Sequence, residues 1–232
     1  LLATAATLTT VPADAQGRIT PFMSAVAESA ALDSELAAFY RENGYEPVWV
    51  GQDAESEARR TALLMALQKA GDHALPVDSY NIPALEAAMR NIDTQRDLGR
   101  VEVLLSRTFL KYAHDVSSGI LEPKTIDETI VRELPRRDGA ELLKGMVDGN
   151  PVTFLRSLPP QFPEYTRLMK ARLKMQEQLV KGGWGPQVSA YSLEPGDRGD
   201  AVVQLRNRLI AMGYMERSAS MVYDAALQEA VQ

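Results

Sequence analysis

Cysteine is absent from this 232-residue sequence. That removes thiolate nucleophiles, disulfides and thiolate metal sites together. Histidine is nearly absent: only His73 and His114 could supply an imidazole. Neither has a second histidine or a carboxylate cluster at metal-ligand spacing, so no metal site is expected. His114 reads as a partly buried structural residue and His73 as a solvated loop residue. There is no phosphate-binding G-x-x-x-x-G-K, no G-x-G-x-x-G and no G-x-S-x-G, and no repeat with a period of 20–50 residues. The carboxylates read as solvent-facing, mixed with lysine and arginine, and no isolated pair in an apolar setting points to acid–base chemistry. No catalytic residue and no cofactor is therefore expected. The net charge of −6 argues against nucleic acid or an anionic membrane surface as the main partner.

What is present is ordinary globular composition, 45% hydrophobic and 24% charged, long enough for one or two domains with a sizeable core. Residues 1–15 are small and apolar and end in Ala13-Asp14-Ala15. This pattern predicts the back half of a secretory signal peptide, with a mature start at Gln16 and a periplasmic location. The leader is too short to span a bilayer. From there on, apolar residues recur at steps of three and four, which predicts an all-α fold. Helices are expected near 20–31, 34–43, 54–70, 83–91, 94–118, 138–148, 151–157 and 163–181. The longest stripe is Leu98, Val101, Leu105, Phe109, Tyr112 and Val116, with Asp93 as its expected cap. Between helices, Tyr45–Val50 could form an edge strand bent at Pro47. Trp49 is expected to be buried against the helices. Gly182-Gly183-Trp184-Gly185-Pro186 marks a boundary. The expected division is a leader over 1–15, a helical scaffold over 16–190 and a small module over 191–232.

The module opens on a double turn, Pro195-Gly196 and Gly199, with Asp200 as the expected N-cap. Val202, Leu205, Leu209 and Met212 make one apolar helix face, closed by Gly213-Tyr214. The run Leu193-x-Pro-Gly-Asp-Arg-Gly-x-x-Val-x-x-Leu-Arg-x-Arg-Leu to Gly213-Tyr214 resembles the start of the small helical peptidoglycan-binding module of bacterial wall enzymes. Asp197, Arg198, Arg206 and Tyr214 are its candidate peptidoglycan contacts, because charged and aromatic groups there could meet amino-sugars and carboxylates. Turn hydrogen bonding, a solvated helix face and core packing are the alternative roles for the same residues. The resembled module buries its core among three helices, so the segment present here reads as incomplete. Leu205, Leu209 and Met212 are expected to lack part of their partner surface.

Upstream, five landmarks follow in order: Phe39-Tyr40 with Tyr45-x-Pro47-x-Trp49, then Leu67-x-x-Ala70 with Leu75-Pro76-x-x-Ser79-Tyr80. Next come Tyr112-Ala113-x-Asp115-x-x-Ser118-Gly119-x-Leu121-x-Pro123, then Leu158-Pro159-Pro160-x-x-Pro163-x-Tyr165-x-x-Leu168, and Gly182-Gly183-Trp184. Together with the module they resemble, over roughly 35–232, the N-terminal scaffold of the large periplasmic L,D-transpeptidases of Gram-negative bacteria. The resemblance implies cell-wall biogenesis through 3–3 peptidoglycan cross-links made by a separate C-terminal catalytic domain. That domain carries a cysteine in a His…Ser-x-Gly-Cys-x-Arg motif. No such motif occurs here, so none of the family's catalytic residues can be carried over and this chain is expected to be inactive alone. The implied partners are peptidoglycan and the protein's own C-terminal catalytic domain. The alternative is a stand-alone periplasmic peptidoglycan-binding adaptor.

Overall fold

A computed structural model describes residues 19–121, 123–129, 136–190 and 192–232. The expected leader over 1–15 and its cleavage at Gln16 lie outside the described residues. Among the described residues there are eleven α-helices and no strand, only one antiparallel bridge between Arg198 and Val222. The fold is all-α. The helices are α1 (Pro21–Ala30), α2 (Ser34–Glu42), α3 (Ala54–Gln68), α4 (Ile82–Arg90), α5 (Gln95–Ser118) and α6 (Pro123–Ile126). They continue with α7 (Gly139–Asp148), α8 (Pro151–Ser157), α9 (Pro163–Val180), α10 (Asp200–Met212) and α11 (Ala225–Val231). Short 3₁₀ turns occupy Ala70–His73 and Val77–Tyr80.

The helices start where local chemistry tells them to. Thr20, Asp33, Asp53, Asp138, Asn150 and Asp224 each accept the first-turn amide three residues on, which satisfies a donor the helix cannot. For α5 the cap is Thr94 and not Asp93. Thr94 Oγ1 accepts from Asp97 N at 3.1 Å while the Asp97 carboxylate takes Thr94 N, also at 3.1 Å, a reciprocal capping box. Tyr45–Val50 is an irregular turn, not the edge strand its sequence allowed.

The chain divides into two compact units, the first ending at Gln161 and the second running Phe162–Gln232. In the first unit α5 is the central rod. Its stripe, Val101, Leu105, Phe109, Tyr112 and Val116, is buried with Leu36, Tyr40, Leu63, Leu67, Leu143 and Met146. Each such side chain contributes roughly 1.5–3 kcal/mol by leaving water. Trp49 is fully buried, as expected, with its ring 5.6 Å from that of Phe109. Helix α1 lies against α5 at very short range. A Cβ at Gly99 would sit 2.7 Å from the Phe22 carbonyl oxygen and 2.8 Å from the Ala25 Cβ. Only glycine permits that approach.

The second unit holds α9, α10 and α11. Helix α9 buries none of its residues, and Leu168, Met175, Leu179 and Val180 are exposed. Val202 and Leu209 of α10 and Tyr223 and Leu227 close a small separate core, with Leu193, Leu205, Met215 and Ala230 packed around it. Leu209 therefore has its partner surface, whereas Met212 is exposed.

Candidate functional site

In the first unit the feature that the sequence did not disclose is Glu102. The carboxylates were expected on solvent faces; Glu102 is instead fully buried on α5. Its Oε1 accepts from the Tyr40 hydroxyl at 2.7 Å and from Val48 N at 2.8 Å. Its Oε2 accepts from Trp49 N and Val50 N, each at 3.0 Å. One turn along, Ser106 Oγ accepts from Trp49 Nε1 at 2.7 Å and lies 2.6 Å from the Tyr40 hydroxyl. The carbonyls of the same turn are met from α3. Arg59 Nε donates to Val48 O at 2.8 Å, and Arg60 donates to Trp49 O and Gly51 O. A turn with no neighbouring strand thus has its backbone groups satisfied by side chains of two helices, as burial requires.

Burial raises the Glu102 carboxyl above its ordinary value, and its hydrogen bonds from Tyr40 and the turn amides pull the other way. Burial likewise pushes the Tyr40 hydroxyl well up, with the Glu102 charge adding to it. Glu102 does not line the grooves at Glu42–Asp148, Met65–Val152 or Phe22–Gln52. A fully buried carboxylate with four donors holds a turn. The signal was present in the spacing, since Glu102 follows Leu98 by four and precedes Leu105 by three, on the buried stripe.

His114 is half-buried, as expected, with Nε2 3.1 Å from Arg137 O. His73, expected to be solvated, is half-buried on a 3₁₀ turn, and burial lowers its pKa. No group of three or more metal-ligating side chains exists among the described residues, and none of their helices is long and apolar enough to cross a membrane.

The four candidate contact residues all lie in the second unit. Gly199, at φ +119°, provides the N-cap of α10, a backbone conformation that favours glycine. Asp200, expected as the cap, is the first helical residue. The turn before it pairs with 221–223: Gly196 N donates to Tyr223 O at 2.9 Å, and Tyr223 N to Asp197 O at 2.8 Å. Asp197 and Arg198 are exposed on this turn, and the Asp197 carboxylate accepts from Glu194 N at 2.8 Å. Helix α10 ends in a Schellman arrangement around Gly213, with Tyr214 N bonded to Leu209 O at 2.9 Å. This projects Tyr214, 64% exposed.

Arg206 differs from the other three. It was a candidate for an outward contact, yet it is only 1% exposed. Its guanidinium donates to Val222 O at 2.7 Å and to Asp224 Oδ2 at 2.9 Å. Asp224 also caps α11 by accepting from Leu227 N at 3.0 Å. Its pKa is lowered, first by that amide and then by the bonds to its side chain, Arg206 foremost. Arg206 thus fastens α10 to the start of α11. Its spacing gave a hint, being four after Val202 and three before Leu209; the partner, 18 residues away, gave none.

Arg206 and Tyr214 share a cleft of about 530 Å³ with Met215, Arg217, Asp224 and Glu229. Asp197 and Arg198 are not among its walls. Sequence reasoning missed Arg217, since 215–224 carries no helical period from which to infer a facing direction, and Glu229, which lies on the short helix α11. Aromatic, cationic and anionic groups converge here.

Fold and site together define a helical scaffold unit and a second, smaller helical unit. The chain belongs to the Scaffold domain family: the model of that family matches residues 34–171, more than half of the chain. The match covers α2 to α8 and enters α9. No curated protein and no solved structure matches the chain.

Proposed function

We propose that this chain is the non-catalytic N-terminal part of a periplasmic murein L,D-transpeptidase, where the scaffold serves a cysteine-dependent catalytic domain. In that role the second unit contacts peptidoglycan and helps to orient the enzyme for 3–3 cross-linking. The observation that carries the reading is a coincidence of range. The Scaffold domain match over 34–171 falls on four of the five ordered landmarks that resemble the transpeptidase scaffold. The peptidoglycan-binding resemblance begins downstream of it, at Leu193.

The wall-facing surface on this reading is the cleft of Tyr214 and Arg217, with Asp197 and Arg198 on the adjacent turn. An aromatic face can stack on a sugar ring, and an arginine can hold a stem-peptide carboxylate in a forked pair. Arg206 acts from behind by holding the cleft together.

The test is cosedimentation of the 232-residue chain with purified sacculi. Retention is expected, weakened by Tyr214→Ala combined with Arg217→Glu, two exposed changes that leave the unit's core untouched. Equal retention of both chains, or none of either, overturns the assignment of the cleft.

A further inference from the structure

The first unit carries two grooves of opposite character. One, between α2 and α7, has Glu42, Asp138, Glu141 and Asp148 on its rim against a single cation, Lys144. It follows the acidic balance of the chain. The other, between α3 and α8, reverses that balance. Its floor is Ala62, Met65, Ala66, Val152 and Leu155, and its rim holds Lys69 and Arg156 with no carboxylate among its walls. Neither Lys69 nor Arg156 forms an ion pair among the described residues, and both are exposed. His73 also lines the groove, but burial lowers its pKa, so at neutral pH it adds little charge.

The geometry is built by two helix faces. Ala62, Met65 and Ala66 fall at steps of three and four along α3, with Lys69 at its C-cap, and Val152, Leu155 and Arg156 do the same along α8, with Pro159 two residues past its end. Each helix commits one edge of its apolar face to the core through Leu63, Leu67 and Leu155, and leaves the neighbouring edge open. Met65 is 51% exposed and Val152 43%. An exposed methionine beside a second apolar residue costs solvation, and methionine adapts its shape to an incoming group. The cavity is about 220 Å³. That is below the ~300–1,000 Å³ usual for small-molecule sites and suits one or two apolar side chains.

We infer that the α3–α8 groove is a docking site for an acidic peptide segment of a partner protein, which seats an apolar anchor between Met65 and Val152 and places flanking carboxylates on Lys69 and Arg156. Charge complementarity selects the occupant. On a chain of net charge −6, two unpaired cations around an apolar floor attract an anionic segment and repel a basic one. Concavity favours a peptide over a lipid surface, since membrane-binding faces project their apolar residues outward. The inference does not depend on the cell-wall reading; it would hold for any protein that uses this scaffold.

The experiment is fluorescence anisotropy with the 232-residue chain. The probe is a fluorescein-labelled peptide with a Leu-Phe centre flanked on each side by glutamates. Saturable binding is expected, at least about tenfold weaker for Lys69→Glu/Arg156→Glu and reduced by added salt. Met65→Asp, which sets a charge on the apolar floor, should weaken it as much. All three positions are exposed, and unchanged circular dichroism checks that the variants fold. A lysine-flanked counterpart and one with an alanine centre should bind poorly. The inference is overturned by absence of saturable binding, by equal affinity of the charge-reversed chain, or by equal affinity for the alanine-centred peptide. It is also overturned if phosphatidylglycerol vesicles bind the chain through Lys69 and Arg156 while the acidic peptide does not, an outcome that would assign the groove to a membrane surface.

Discussion

Replacing Glu102 tests the central packing of the scaffold unit most sharply. Glutamine keeps the shape of the side chain but exchanges one acceptor oxygen for a donor. If the amide nitrogen takes the place of Oε2, Val50 N loses its acceptor, Trp49 N keeps only the longer bond to Oε1 at 3.4 Å, and both face another N–H. If it takes the place of Oε1, Val48 N is orphaned and the Tyr40 hydroxyl must turn wholly to Ser106, 2.6 Å away. Either way one or two buried amides go unsatisfied. At about 1–3 kcal/mol each, the expected loss is roughly 1–6 kcal/mol. Against a typical domain stability of about 5–15 kcal/mol this is a large fraction. Leucine removes both acceptors and orphans all three turn amides, so it should cost more still. That ordering is informative. Buried ionic groups can often be exchanged for apolar ones without loss when all partners are exchanged together. Here the partners are backbone amides, which substitution cannot remove. The assay is urea denaturation followed by Trp49 fluorescence in a Trp184→Phe background, so that the signal comes from the turn itself. The expected order of midpoints is wild type, then Glu102→Gln, then Glu102→Leu. A leucine variant as stable as wild type would refute the account of Glu102 as the acceptor that holds the turn.

Gly99→Ala should destabilise the first unit although alanine is intrinsically the better helix former by roughly 0.5–1 kcal/mol. The added methyl meets the Phe22 backbone and Ala25, and overpacking of this kind costs about 1–3 kcal/mol; a raised melting temperature would show that α1 and α5 are not in close contact at Gly99. In the second unit, the Asp224 carboxyl is more acidic in the folded state than its ordinary 3.8. Its contribution is therefore complete above that value and is lost as pH falls through the lower folded one. The α11 amide resonances should lose dispersion on acidification below about pH 3.8, and Asp224→Asn should remove that pH dependence; a transition of α11 that is identical in the variant would contradict the assignment.

Much of the architecture was legible in the sequence because helix formation is decided locally. Three-and-four spacing, proline in the first turn and a short polar cap act within a few residues of one another. Hence α5 was readable from Leu98 to Val116 and α10 from Val202 to Gly213. The cap of α5 moved one residue to Thr94 because its hydroxyl, and not the Asp93 carboxylate, is matched by an acidic residue three positions on. The edge strand that Tyr45–Val50 could have formed is absent for a non-local reason. Its amides find Glu102 on α5 and its carbonyls find Arg59 and Arg60 on α3, so the segment is satisfied without pairing to another strand.

The same division separates what was seen of the site from what was missed. The sequence determined that this chain is helical and cysteine-free, since composition and local periodicity suffice for those statements. Only the tertiary structure decided that Glu102 and Arg206 face inward. Both lie on apolar stripes by spacing, where a charge reads as an interruption until its partners are known. Those partners are the turn amides, 52 to 54 residues away from Glu102, and Asp224, 18 residues from Arg206. A buried charge is tolerable only when such partners are supplied, and chain spacing alone does not reveal which distant groups the fold will bring to it.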